Sequence, residues 1–156
     1  MPELKGSGFE LLEIGVRRKH GDWTDIMRVD DDIEIVVKYR LTKKFDSLWL
    51  TMHLKNESGE KMFSTSGGGR CYDKYHESGE YEQVCMIPAN FLNWGNYAVD
   101  LMAVSGDGGI HHLIGDSGDD IVSFSLENRE VAIGGWMYKE PGDITPKFEY
   151  TEQKLK

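Results

Sequence analysis

Only two cysteines and four prolines occur among 156 residues. A fold stapled by several disulfides is therefore excluded. Cys71 and Cys85 form no C-x-x-C pair and have no histidine at zinc-finger spacing, so no metal is expected. They leave open either two thiols in a reducing compartment or one disulfide. Basic residues are also short: 18 Lys and Arg stand against 27 Asp and Glu, a net charge of −9. Such a surface repels polyanions, which argues against nucleic acid and anionic lipid heads as main partners. No apolar run approaches the ~20 residues that span a bilayer. The opening MPELKGSG lacks the apolar core of a signal peptide. The expected location is the cytoplasm, without direct insertion into a membrane.

Catalytic signatures are missing too. There is no G-x-S-x-G and no G-x-x-x-x-G-K-[ST]. The glycines of Ser66-Gly67-Gly68-Gly69 have no Lys-Ser/Thr after them and read as a loop. His111 and His112 are adjacent on an expected strand, so their side chains leave opposite faces and make a poor chelate. Asp30-Asp31-Asp32 lacks the alternating ligands and distal glutamate of a calcium loop and reads as a turn. The expectation is a protein that is not an enzyme and needs no cofactor.

What the chain does have is 18 glycines, 11% aromatics and strand-like alternation. The clearest case is 33–41, where Ile33, Ile35, Val37, Tyr39 and Leu41 share one face. Leu48, Leu50, Met52 and Leu54 line the next strand. Further short strands are expected at 9–16, 26–29, 60–65, 80–86, 97–104, 110–115 and 121–126. Trp136 to Lys139 and a last extended run over 144–150 complete the set. Residues 89–93 are expected to make one helical turn between two strands. No run of 12 or more residues has a helical period. The pattern predicts an all-β, immunoglobulin-like antiparallel sandwich of about 8–9 strands, spanning 9–150 with loose termini at 1–8 and 151–156. A closed barrel is the alternative.

Function is sought on the outward strand positions. Trp49, Thr51 and His53 alternate with the core leucines of their strand, and Asp100 and Met102 hold the equivalent positions on a later one. In an immunoglobulin-like topology the two strands share a sheet. An indole covers the C–H face of a pyranose, while hydroxyl, imidazole and carboxylate groups take its hydroxyls. Arg40 or Arg70 could add an acidic sugar or a phosphate. Tyr72 and Tyr75 lie in the long polar loop 66–78 and fit either a site or simple packing. Trp94 and Trp136 are expected to be structural.

An ordered set of motifs carries a family resemblance. A strand over 79–86 is followed by Ile87-Pro88, Leu92 and Gly95-Asn96-Tyr97. Strand patterns at 9–16, 31–39, 59–65 and 122–126 and a close over 142–150 accompany it in order. Together they resemble the C-terminal carbohydrate-binding domain of Wzt-type ABC transporter ATPases, which export O-antigen polysaccharides. The match covers about residues 9–150 and none of the ATPase domain of those transporters; it ends on Tyr150 where Trp is usual. The resemblance implies an immunoglobulin-like sandwich that forms a homodimer, with its C-terminal strand exchanged. It also implies recognition of the non-reducing end of a finished polysaccharide, in partnership with the transporter's membrane and ATPase components at the inner face of the inner membrane. The site residues Trp49, Thr51, His53, Asp100, Met102 and Arg40 rest on strand alternation and side-chain chemistry, not on a family motif; the alternative is a structural dimerisation or protein-interaction module without glycan binding, with Trp49 packed under a loop or at a dimer interface.

Overall fold

The computed structural model describes residues 7–66, 75–107, 110–128, 142–144 and 149–155. Among these residues nine strands follow one another: β1 (Phe9–Arg18), β2 (Ile26–Arg28), β3 (Ile33–Leu41), β4 (Ser47–Lys55), β5 (Lys61–Ser66), β6 (Gly79–Ile87), β7 (Gly95–Asp107), β8 (Ile110–Asp116) and β9 (Val122–Glu127). Among the described residues there is no helix. The strands form two sheets. One is three-stranded, in the order β1-β3-β6. The other runs β2-β9-β7-β4-β5, with β8 also paired to β7. All pairings are antiparallel except β2 with β9, which is parallel. The sandwich expected from the sequence is therefore present, with one mixed edge.

Period-two patterning builds the core between the sheets. Every residue of the expected β3 face is at most 3% exposed, as are Leu48, Leu50 and Leu54; Met52 is 4% exposed. From β7 come Tyr97, Val99, Leu101 and Ala103, and from β9 Phe124 and Leu126. Each Val, Leu, Ile, Met or Phe among them contributes about 1.5–3 kcal/mol by leaving water. In β1 the register shifts between Leu11 and Glu13. Phe9 and Leu11 face the core before this bulge, and Ile14 and Val16 face it afterwards, which leaves Leu12 exposed. One inserted residue thus lets both alternating sets of that strand be core.

Residues 88–94 link β6 in the small sheet to β7 in the large one. The expected helical turn is not there. Asn90 adopts a left-handed φ of 62°, and its N–H donates to the Val29 carbonyl rather than to a preceding turn. The Ala89 N–H is held by the Asp32 carboxylate at 2.8 Å. Asp31 accepts from the Arg28 N–H at 2.7 Å, so the acidic run is a turn stitched by its own side chains. Past the link, the buried Tyr97 hydroxyl donates to the Asn93 carbonyl at 2.6 Å. A tyrosine near the start of a strand, bonded back to the chain four residues earlier, is the tyrosine corner of immunoglobulin-like sandwiches. Ile87, Leu92 and Tyr97 are all buried beneath it.

The segment around Trp136 lies outside the described residues, as do Arg70, Cys71, Tyr72 and the middle of the closing run. Ile144 forms one antiparallel bridge to Leu92. Cys85 is a half-buried thiol, and burial pushes its pKa up.

Candidate functional site

The outer face of β4 and β7 collects five of the six residues singled out in the sequence. Register sets Thr51 opposite Met102 and His53 opposite Asp100, with Trp49 opposite Val104. Directly opposed residues project from the same side of a sheet. On the far side of β4, β5 adds Ser66 opposite Thr51 and Ser64 opposite His53. On the far side of β7, β8 adds Leu113 opposite Val104 and Asp116 opposite Met102.

The resulting face is graded. Its upper row is apolar: Trp49, Val104 and the exposed Leu113. The half-buried Trp49 ring lies beside Gly106, where an added Cβ would meet Cζ3 at 3.5 Å. Below it, Thr51 and Ser66 share a hydroxyl–hydroxyl bond of 2.8 Å. The next row is ionic. His53 Nδ1 lies 2.6 Å from Asp100 Oδ1, with both side chains 14% exposed. An ionised carboxylate only accepts, so Nδ1 donates to it, and Nε2 remains to meet a ligand. Lys55 Nζ lies 3.2 Å from Asp100 Oδ2 and 3.0 Å from Asp120. Hydrogen bonds to Asp120 and then Asp100 raise the Lys55 pKa, keeping it charged. Asp100 thus bonds on both oxygens and orients His53 and Lys55.

Arg40 is not part of this cluster. It lies on β3 in the other sheet, where it bonds to Glu10 at 3.1 Å and to Glu80 at 2.7 Å. Those neighbours, Glu80 first, raise its pKa. The next row repeats the pattern, with Lys38 between Glu13 at 3.4 Å and Glu82 at 3.9 Å. A cation on the central strand between glutamates on both neighbours is a cross-strand ion ladder, and Arg40 serves as one of its rungs.

Lys55, Ser64, Ser66 and Asp120 were missed by sequence reasoning. Alternation along β4 does place Lys55 outward with Trp49. The serines depend on how β5 registers on β4, and that register shifts between Leu54 and Lys55. Among the described residues, no three metal-ligating side chains cluster. No helix there is long and apolar enough to cross a membrane.

Against this geometry the comparisons divide. No protein-family model matches the chain, and no curated protein matches it by sequence. Among solved structures, the fold is that of the C-terminal domain of Wzt. The likeness has a TM-score of 0.69 and covers 94% of this chain and 84% of that one, at 13% sequence identity. At that identity the likeness shows the fold alone.

Proposed function

We propose that the chain is a non-catalytic carbohydrate-binding domain, spanning 9–150, that holds the non-reducing end of an O-antigen polysaccharide on the outer face of β4 and β7. In this role it couples finished polysaccharides to export, acting with the membrane and ATPase components of an ABC transporter at the inner face of the bacterial inner membrane. The observation that carries the proposal is the graded face itself, on a fold shared with the C-terminal domain of Wzt. Trp49, Met102 and Val104 offer an apolar surface for the C–H side of a sugar ring. Thr51, His53 and Asp100 supply hydroxyl, imidazole and carboxylate for its hydroxyls. His53 and Asp100 are fixed by their mutual bond before any ligand arrives, so little ordering entropy is lost on binding.

Each sugar contact replaces good water contacts by similar ones, so binding per site is weak. A homodimer in which the closing strand over 144–150 is exchanged raises the apparent affinity if both sites engage one polymer. Retention of O-polysaccharide released from the source strain's lipopolysaccharide tests the proposal. The wild-type domain is retained, whereas Trp49→Ala and His53→Ala elute unretained with their fold intact. Undiminished retention of both variants rejects this face. Truncation after Pro141 tests the exchanged strand: it converts a dimer to a monomer if the strand is shared. A truncated chain that still dimerises rejects the exchange.

A further inference from the structure

A second groove lies at an edge of the sandwich, where β1 of the small sheet passes β9 of the large one. It has a volume of about 400 Å³, and its walls include Glu13, Gly15, Trp23, Asp25 and Ser123. Trp23 is held in place by the backbone. Residue 23 bridges to Arg17 on β1, and the Thr24 N–H donates to the Val16 carbonyl at 3.0 Å. The indole lies flat against Gly15, where a Cβ would fall 2.4 Å from Cε3 and Cζ3. Any side chain at Gly15 would displace the ring. Yet Trp23 is 45% exposed, a large apolar plate lining an open groove.

The polar groups beside this plate are unspent. Among the described residues, neither the Asp25 carboxylate nor the Trp23 indole N–H has a hydrogen-bond or ion-pair partner. The Thr24 hydroxyl, by contrast, is committed to the Ile26 backbone at 3.1 and 3.2 Å. Glu13 adds a second carboxylate, shared with Lys38. Carboxylates only accept, so the complementary ligand donates several hydrogen bonds and presents a flat apolar side. An anion is repelled by Asp25 and Glu13.

We infer that this groove is a second carbohydrate subsite, which takes a neutral pyranose stacked on Trp23 with its hydroxyls donated to Asp25. The ligand class rests on the carbohydrate reading above; the residues do not overlap with it. A polysaccharide is then gripped at two separate places on one domain, its terminus on the β4–β7 face and another residue, or a second chain, in the groove.

The test uses the full ¹⁵N-labelled chain, reading the indole N–H signals of its four tryptophans. Trp23→Phe identifies the Trp23 signal and Trp49→Phe that of Trp49. The probes are the methyl pyranosides of glucose, galactose and mannose, with methyl glucuronide as the acidic control and released O-polysaccharide for the β4–β7 face. At least one neutral pyranoside is expected to shift the Trp23 signal saturably, at concentrations on the order of 1–50 mM for so small a ligand. Asp25→Asn and Gly15→Ala weaken that titration at least about fivefold, equivalent to ~1 kcal/mol. Trp49→Ala leaves it unchanged. The subsite is overturned if no neutral pyranoside moves the Trp23 signal, if both groove variants titrate like wild type, or if the glucuronide binds as well. It is also overturned if the signal moves with protein concentration alone, which would show a second copy covering the ring. O-polysaccharide shifting Trp49 but not Trp23 overturns the subsite and keeps the main reading. The reverse pattern overturns the choice of main face and keeps the subsite.

Discussion

The two outer faces of the sandwich are built alike and left in different states. Each carries a row of polar side chains across three strands: Glu10–Arg40–Glu80 on the small sheet, Ser64–His53–Asp100 on the large one. On the small sheet Arg40 meets Glu10 and Glu80 on the two neighbouring strands, with the three side chains 42–63% exposed. Exposed pairs of that kind add little stability and leave a ligand little to bind. On the large sheet the His53 and Asp100 side chains are only 14% exposed and border Trp49, Met102 and Val104. Polar residues on a strand face are therefore not alike. What separates the solvated ladder from the proposed binding surface is remaining hydrogen-bond capacity beside an apolar plate.

Substitutions can break that contrast. The largest expected effect is on the large sheet. Replacing both Trp49 and His53 by alanine lowers affinity for the O-polysaccharide by more than about 100-fold, or ~2.7 kcal/mol, in a calorimetric titration. Arg40→Ala leaves the same titration unchanged. An equal loss in the two proteins would erase the distinction between the faces. Next comes Asp100→Asn, which keeps the shape but removes the charge that orients His53 and Lys55. Affinity is expected to fall about tenfold while the denaturation midpoint moves little.

Stability effects rank lower and concern the corner and the small sheet. Tyr97→Phe loses the 2.6 Å bond to Asn93 and costs about 0.5–1.5 kcal/mol in urea unfolding. Burial, with Asp143 adding to it, pushes the Tyr97 pKa from 10.0 up to about 12. Folding thus favours the protonated phenol. Its contribution is fully present below pH 10 and is lost as the pH rises through about 12. The phenylalanine variant should lack that part of the alkaline decline; an identical alkaline limb contradicts the assignment.

The smallest effect is expected at Glu34. Burial pushes its pKa up, but the His20 N–H and the Arg17 guanidinium outweigh this and leave it below 4.5. Its contribution is present above pH 4.5 and fades as the pH falls through the lower folded value. Glu34→Gln should flatten the acid limb of a stability–pH profile while leaving glycan binding intact. An unchanged acid limb contradicts the role given to Glu34.

Much of the sandwich was legible because its strands are amphipathic with period two. The core faces of β3 and β4 could be read residue by residue, although Glu34 and Val36 on the outward side of β3 are buried as well, and the sharing of a sheet by Trp49 and Asp100 followed from topology. What stayed hidden depends on register and on contacts between distant segments. The bulge at Leu12 changes which side of β1 is core, and no alternation rule announces it. Arg40 read as an outward cation near a sugar face, because alternation gives the side of a strand but not which sheet the strand joins. The corner at 88–94 has helix-compatible residues, and it was Asn90, bonded to Val29, that decided otherwise. Gly15 and Trp23 form their groove through a close approach that spacing along the chain does not encode.

The central claim is that the outer face of β4 and β7 receives the polysaccharide. A crystal structure with an O-polysaccharide terminus bound tests it most directly. A sugar ring is expected over Trp49 with hydroxyls on His53 Nε2 and Asp100, while Arg40 keeps its bonds to Glu10 and Glu80. A terminus seated on the Glu10–Arg40–Glu80 face, with Trp49 and His53 untouched, would contradict it.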